Sequence, residues 1–363
     1  MRALILLFAW VVSTANAEQV LRKGNAAEPE SLDPHRSEGV NSANILRDLY
    51  EGLTAEAPSG AVIPGAAERW TISKDGKIYT FTLREKARWS NGDAVTADDF
   101  VAGFRRSADP KTGSSYSQML APIENAEGVV AGRLAPEQLG VRALTVRTLE
   151  IRLNAVTPYL LGLLNHAITY PVHRPSLSQH GERFARPGVL VSNGAYQLTE
   201  WAVQSQVTLT RNPHYWDNPA TTIDRVIYVP TENQSSELKR YRAGELDWTD
   251  TLPINQLRWL RQNLPDEMSL TPYLGTYYYG FNLNRPPFKD NPKLRKALAL
   301  ALDRETLTRA ISGAGEIAAY GWVPPGVAHY TAVRPDWAGW TQQQRVEEAR
   351  RLYAEAGYSD DNP

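Results

Sequence analysis

Four tyrosines fall within seven residues of the stretch LTPYLGTYYYGFNLNRPPF (270–288): Tyr273, Tyr277, Tyr278 and Tyr279. A tyrosine joins a large apolar ring to a hydroxyl that needs a partner when buried. A core strand is usually built from Val, Ile and Leu. A strand facing a wet cavity that holds polar and apolar groups together has a composition like this one. The chemistry implied is recognition, not bond-making. In a regular strand Tyr273, Tyr277 and Tyr279 share one side and Tyr278 takes the other.

Groups for bond-making are sparse. The sequence has no G-x-S-x-G elbow, no H-E-x-x-H, no Walker loop and no G-x-G-x-x-G. Its six histidines (35, 166, 173, 180, 214 and 329) are scattered, and none pairs at helical ligand spacing. His166 closes an apolar run, where it serves as a cap or core residue without any metal. Carboxylates are many, and nothing singles out a general acid–base pair. No catalytic residue, metal ligand or cofactor is therefore assigned, and an enzyme stays an open but unsupported class. Lys plus Arg number 39 against 40 Asp plus Glu, so no basic field points to nucleic acid.

The first seventeen residues, MRALILLFAWVVSTANA, carry one Arg2, an apolar run from Ala3 to Val12 and the small-x-small end Ala15-Asn16-Ala17. This reads as a cleavable secretory signal (1–17), too short to span a bilayer, with the mature chain starting at Glu18. Cysteine is absent throughout. That rules out disulfides, thiolate metal sites and a lipid-anchoring cysteine at the mature start. The expected location is periplasmic and soluble, without a lipid anchor.

Strands and helices alternate irregularly, which predicts a mixed α+β, or α/β, class. Residues 76–100 begin as a strand with Tyr79, Phe81 and Leu83 on one face, turn at Asn91-Gly92, and start a helix capped by Thr96. Phe100 and Phe104 sit one turn apart on that helix. Residues 147–153 and 194–211 predict further strands. Thr157-Pro158 opens a short helix, and 235–249 predicts a helix stopped by Gly244 and then a strand. Pro292 opens one helix and Asp303 caps the next. Thr341 and Gln344 form a capping box for a helix over 341–357, with Val346, Ala349 and Leu352 as its apolar stripe.

Several motifs occur in a fixed order: VLRKGNAAEP, SLDPHRSEGVNSANILRDLYEGL, the run from Pro64 to Arg106, SNGAYQLTEW, LTRNPHYWDNP, YRAGELDWT, GTYYYGFNLNRPPFKD, RKALALALDRE and ARRLYAEAGY. Together they resemble the oligopeptide-binding proteins of bacterial peptide ABC importers, the extracellular solute-binding proteins of family 5. The resemblance covers the whole mature chain.

It implies a bilobal periplasmic-binding-protein clamshell with an extra inserted domain. Lobe one is expected from 18–50 and 173–274, the insert from 51–172, and an incomplete lobe two from 275–363. A short peptide lies extended between the lobes, bound largely through its backbone, for delivery to a membrane-embedded ABC permease by a monomeric receptor. Murein peptides are an alternative ligand, and a secreted cell-wall hydrolase is the alternative class.

The resemblance places Glu38, Gly39 and Val40 against the peptide, Tyr116 towards its amino end, and Tyr273 and Tyr278 in the cleft. The residues themselves also allow a solvated Glu38, an exposed loop aromatic at 116, and tyrosines that merely pack under the lobe. Gly280 stands where well-known members carry an acid, which removes the basis for a pocket preferring basic side chains. Members also continue well past AEAGYSDDNP (354–363) and supply there an aspartate for the peptide's ammonium group. The chain is accordingly read as a fragment or a shortened gene. The 341–357 stripe is expected to lack its covering sheet, leaving 275–363 labile. Tight peptide binding is expected to be absent because the partner for the ammonium and half the cleft wall are missing, whereas the full-length version is expected to bind short peptides.

Overall fold

The structure is a computed structural model that describes residues 17–271, 273–328, 330–359 and 361–362. The signal segment expected at 1–17 therefore lies, but for its last residue, outside the described residues. Two compact units divide the chain, Met1–Thr251 and Leu252–Pro363. Their junction precedes the 274/275 boundary expected between the lobes.

The first unit opens with β1 (Val20–Gly24), α1 (Gly39–Leu49), the hairpin β2 (Thr54–Glu56) and β3 (Val62–Pro64), then β4 (Ala67–Ile72) and β5 (Ile78–Leu83). Next come α2 (Ala97–Ala108), α3 (Ala126–Val130), β6 (Val141–Thr145), β7 (Thr148–Arg152), α4 (Leu160–Leu163) and α5 (Arg174–His180). It closes with β8 (Tyr196–Ala202), β9 (Gln206–Arg211), β10 (Arg225–Val229) and α6 (Gln234–Arg242).

Two four-stranded sheets organise these elements. One has the order β1-β10-β9-β8, with β1 parallel to β10 and the other pairs antiparallel. The other, β4-β5-β7-β6, is antiparallel throughout. Every strand of the second sheet lies within 51–172, and every strand of the first lies outside it. The alternation read in β5 holds: Tyr79, Phe81 and Leu83 are buried, and their neighbours are partly open. Thr96 caps α2, its N–H and hydroxyl donating to Asp99 Oδ2 at 2.9 and 2.8 Å, which points Phe100 and Phe104 into the core. One continuous buried cluster runs from Leu32 to Tyr228 and takes side chains from both sheets. The strand expected after Gly244 shrinks to a single parallel bridge between Lys23 and Trp248.

The second unit is helical among its described residues: α7 (Leu257–Asn263), α8 (Pro292–Ala301), α9 (Arg304–Thr306) running into a π-helical turn to Ser312, and α10 (Gln342–Glu355). Two expectations need correcting here. The tyrosine stretch is not a strand. High β-propensity makes a ladder only where a partner strand is present, and the Gly275 N–H instead turns back to the Tyr273 carbonyl at 2.9 Å. Nor is the α10 stripe left uncovered. Ala349 and Leu352 bury against Ala297 and Leu300 of α8, with Trp337 and Tyr353 at the edge and Val346 only partly covered.

α10 is further locked by Arg345, 3% exposed, which donates to Glu305 Oε2 at 2.8 Å and to the Tyr320 hydroxyl. The capping box expected at its start is formed: Thr341 N–H meets Gln344 Oε1 at 2.8 Å, and Gln344 N–H meets Thr341 Oγ1 at 3.2 Å.

Candidate functional site

The turn that leads into α1 is held by a buried polar knot. Asp33 accepts both terminal nitrogens of Arg106 and, at 3.1 Å, the backbone N–H of His35. Its carbonyl takes the N–H groups of Arg36 and Ser37. Arg106 can only donate, so its 3.1 Å contact with His35 Nδ1 makes that nitrogen the acceptor. The Nε2–H then donates to the Tyr170 carbonyl at 3.0 Å. The ring is thus neutral, and burial, aided by the Arg106 charge, pushes its pKa down to about 4. Burial works to raise the Asp33 pKa, but the Arg106 hydrogen bonds and charge outweigh it and hold the carboxyl below its usual range.

Three of the expected peptide contacts follow directly from this knot. Glu38 precedes α1 in extended conformation and makes no side-chain bond to the helix's first turn. Gly39 starts the helix at φ +75°, left-handed backbone that glycine adopts without penalty, and a Cβ there would meet nothing within 4 Å. Val40 is exposed. The Ser115 hydroxyl donates to the Glu38 carboxylate, which brings the Tyr116 loop alongside. Tyr116 is half-buried, with its ring edge-on to His166 at 5.2 Å. His166 in turn accepts the Ile168 N–H at 3.2 Å, capping the short turn that follows it. Glu38, Gly39, Val40 and Tyr116 therefore gather in one place.

Tyr273 and Tyr278 belong to the second unit and are exposed there. From Tyr277 to Tyr279 neighbouring rings still make different contacts, without a ladder. Tyr277, 86% exposed, meets Tyr279 edge-on at 5.7 Å, while Tyr278 packs at 4.5 Å on Trp322. The Thr276 hydroxyl donates to the Trp322 carbonyl at 2.9 Å and fixes that contact. The Tyr273 ring stands 2.6 Å from where a Cβ on Gly275 would be, so a larger residue there would push that exposed ring aside.

Two arrangements escaped the sequence reading. Glu51 is buried and accepts from Tyr215 Oη at 2.6 Å and Trp216 Nε1 at 2.8 Å, while Arg84 stacks on the Trp216 ring at 3.5 Å. Burial pushes the Glu51 pKa up to about 7 against those bonds and the Arg84 charge. Its partners make it the clamp of the RNPHYW turn. Trp248, an exposed indole on the bridge to β1, is the second. The aromatic in YRAGELDWT was its only signal. No group of three or more His, Cys, Asp or Glu suited to a metal occurs among the described residues.

The fold is that of a periplasmic binding protein. The chain belongs to the bacterial extracellular solute-binding proteins, family 5, whose middle segment matches residues 61–363. The periplasmic oligopeptide-binding protein OppA of Escherichia coli K12 is 42% identical over 353 residues, covering 96% of this chain and 65% of the relative. The structure of the Escherichia coli murein tripeptide binding protein MppA superposes with a TM-score of 0.91 at 36% identity, over 96% of this chain and 68% of the other. Haemophilus influenzae OppA in complex with RPPGFSPFR gives 0.89 at 38% identity, over 96% and 68%. The chain spans just under two thirds of the length of the OppA relative.

Proposed function

We propose that this protein is a periplasmic receptor that captures short peptides in an extended conformation and passes them to a membrane-embedded ABC permease. The observation that carries the reading is the Asp33–Arg106–His35 knot, which fixes the turn leading into α1, so that Glu38 and the helix start at Gly39 and Val40 stand beside the Tyr116 loop. A turn that offers backbone groups and one carboxylate suits a ligand recognised by its main chain, whatever its side chains. In this reading Tyr273 and Tyr278 are further peptide contacts on the second unit. The names of the relatives, oligopeptide-binding and murein tripeptide-binding, support the same ligand class.

The reading carries finer parts. The signal at 1–17 is cleaved and the mature protein is a periplasmic monomer without a lipid anchor. Lobe one comprises 18–50 and 173–274, the insert 51–172 and lobe two starts at 275. Binding is without turnover. Titration calorimetry with tri- to pentapeptides of varied side chains tests the core claim. Binding of several unrelated peptides is expected, though not tight binding, and binding of sugars alone overturns the reading. Mass spectrometry of peptide incubated with the protein separates receptor from hydrolase, since catalytic loss of intact peptide identifies an enzyme. The likeness to MppA favours a murein tripeptide as second ligand, and it belongs in the same titration.

A further inference from the structure

Among the described residues the first sheet has one parallel pair, β1 with β10, whose carboxyl ends are Gly24 and Val229. In open sheets ligands collect outside the carboxyl ends of parallel strands. Trp248 sits at this end. Its N–H donates to the Arg22 carbonyl at 3.2 Å, and its own carbonyl accepts the Gly24 N–H at 2.8 Å. Asn25, the next residue, is clasped to Asn41: its Nδ2 donates to the Asn41 carbonyl at 3.1 Å, and Asn41 Nδ2 donates back to the Asn25 carbonyl. The clasp ties the end of β1 to the first turn of α1, where Val40 is 58% exposed.

Trp248 has a fixed backbone and an open ring, 55% exposed. Lys23 Nζ stands 5.8 Å from that ring and 5.6 Å from the ring of Tyr228, and so steadies the indole from one side. The residues after it are pinned too, since Asp250 N–H donates to Glu237 Oε1 at 3.3 Å. A large aromatic held this way loses little freedom on binding, which is the character of an interface anchor. The acids beside it are already engaged. Asp247 accepts the Arg22 N–H at 2.7 Å, and Asp250 accepts the Thr251 hydroxyl at 3.0 Å. The open ring is the apolar surface on offer, flanked on one side by the Lys23 ammonium.

We propose that Trp248, together with Val40, forms a subsite for one large apolar or aromatic side chain of the bound peptide. The inference rests on the peptide-receptor reading and adds a preference at a single position to recognition that otherwise runs through the backbone. Calorimetry on the full chain tests it, using tri-alanine and tripeptides with one Phe moved through the three positions, against wild type, Trp248→Ala and Trp248→Phe.

Trp248→Ala should lose roughly three- to tenfold in affinity for the peptide with Phe at one position, with tri-alanine nearly unchanged, because an aromatic pair contributes on that scale. Trp248→Phe should retain most of the preference, which guards against a folding failure in the alanine variant. Equal losses for all peptides, or none, would overturn the subsite and leave the receptor reading standing. If wild type binds no peptide at all, both fall.

Discussion

Arg106 lays both terminal nitrogens on Asp33 across 73 residues of sequence, Nη2 to Oδ2 at 2.6 Å and Nη1 to Oδ1 at 2.8 Å. Both side chains are nearly closed to solvent. Removing one partner of such a pair strands a buried charge, which costs about 3–5 kcal/mol. Arg106→Ala should therefore lower the unfolding free energy by that amount, with a lower denaturant midpoint, and weaken peptide binding as the turn into α1 loosens. Arg106→Lys keeps the charge without the planar fork and should recover only part of both. An unchanged midpoint in Arg106→Ala would dismiss the knot as the turn's anchor.

His35 makes the same knot sensitive to acid. Its pKa falls from 6.5 to about 4 on folding, so the folded protein prefers the neutral ring. That preference stabilises fully above pH 6.5 and fades as the pH drops through about 4, by on the order of 3 kcal/mol in all. His35→Gln should flatten the acid limb of a melting-temperature profile. A limb of unchanged slope would assign acid sensitivity elsewhere.

Glu51 acts in the opposite direction. Burial raises its pKa from 4.5 to about 7, so its contribution is complete below pH 4.5 and is lost as the pH rises through about 7. Glutamine can still donate to Tyr215 Oη and accept from Trp216 Nε1. Glu51→Gln should melt above wild type in mildly alkaline buffer and show a flatter profile through neutrality. Equal profiles for the two proteins would mean that the carboxyl ionises freely in the fold.

In the second unit, Leu352→Ala opens a hole between α10 and α8. Truncations of buried leucine cost about 2–5 kcal/mol. Amide exchange in 292–301 and 342–355 should accelerate together, while β5 and β7 keep their protection. Exchange confined to α10 would mean that the two helices are not one unit.

Tyr278→Ala should weaken peptide binding more than Tyr278→Phe does. The ring carries the contact area and the packing on Trp322, whereas a neutral hydrogen bond adds only about 0.5–1.5 kcal/mol. Calorimetry with the same peptide panel checks the order. Equal effects of the two substitutions would place the hydroxyl, not the ring, in contact with ligand.

Local structure was legible where one element's own residues decide it. The alternation of Tyr79, Phe81 and Leu83, the Thr96 and Thr341 caps, and the Pro292 start and Asp303 cap all depend on neighbours within a few positions. Pairing across distance was not legible. The tyrosine stretch has strand composition without a ladder, and the stripe on α10 meets a helix, not the sheet expected for it. Nothing near Asp33 in sequence announces Arg106, and nothing near Glu51 announces Tyr215, because each contact is set by how the sheets fold over one another. Four expected peptide contacts converge around Ser115 for a reason the motifs never stated, the hydroxyl that bridges to Glu38.

The buried cluster running from Leu32 to Tyr228 draws on both sheets of the first unit. Phe81, Phe100 and Phe104, from the segment that interrupts the first sheet, share it with Leu46, Leu198 and Leu209. A segment that is contiguous in the gene is therefore not separable in energy. Cutting out 51–172 would bare an apolar wall on each piece, at about 25 cal/mol for every Å² uncovered. The two sheets should melt in a single calorimetric transition, and a transplanted 51–172 segment should aggregate in place of folding. Any recombination that shuffles this segment among relatives would have to carry its matching wall along.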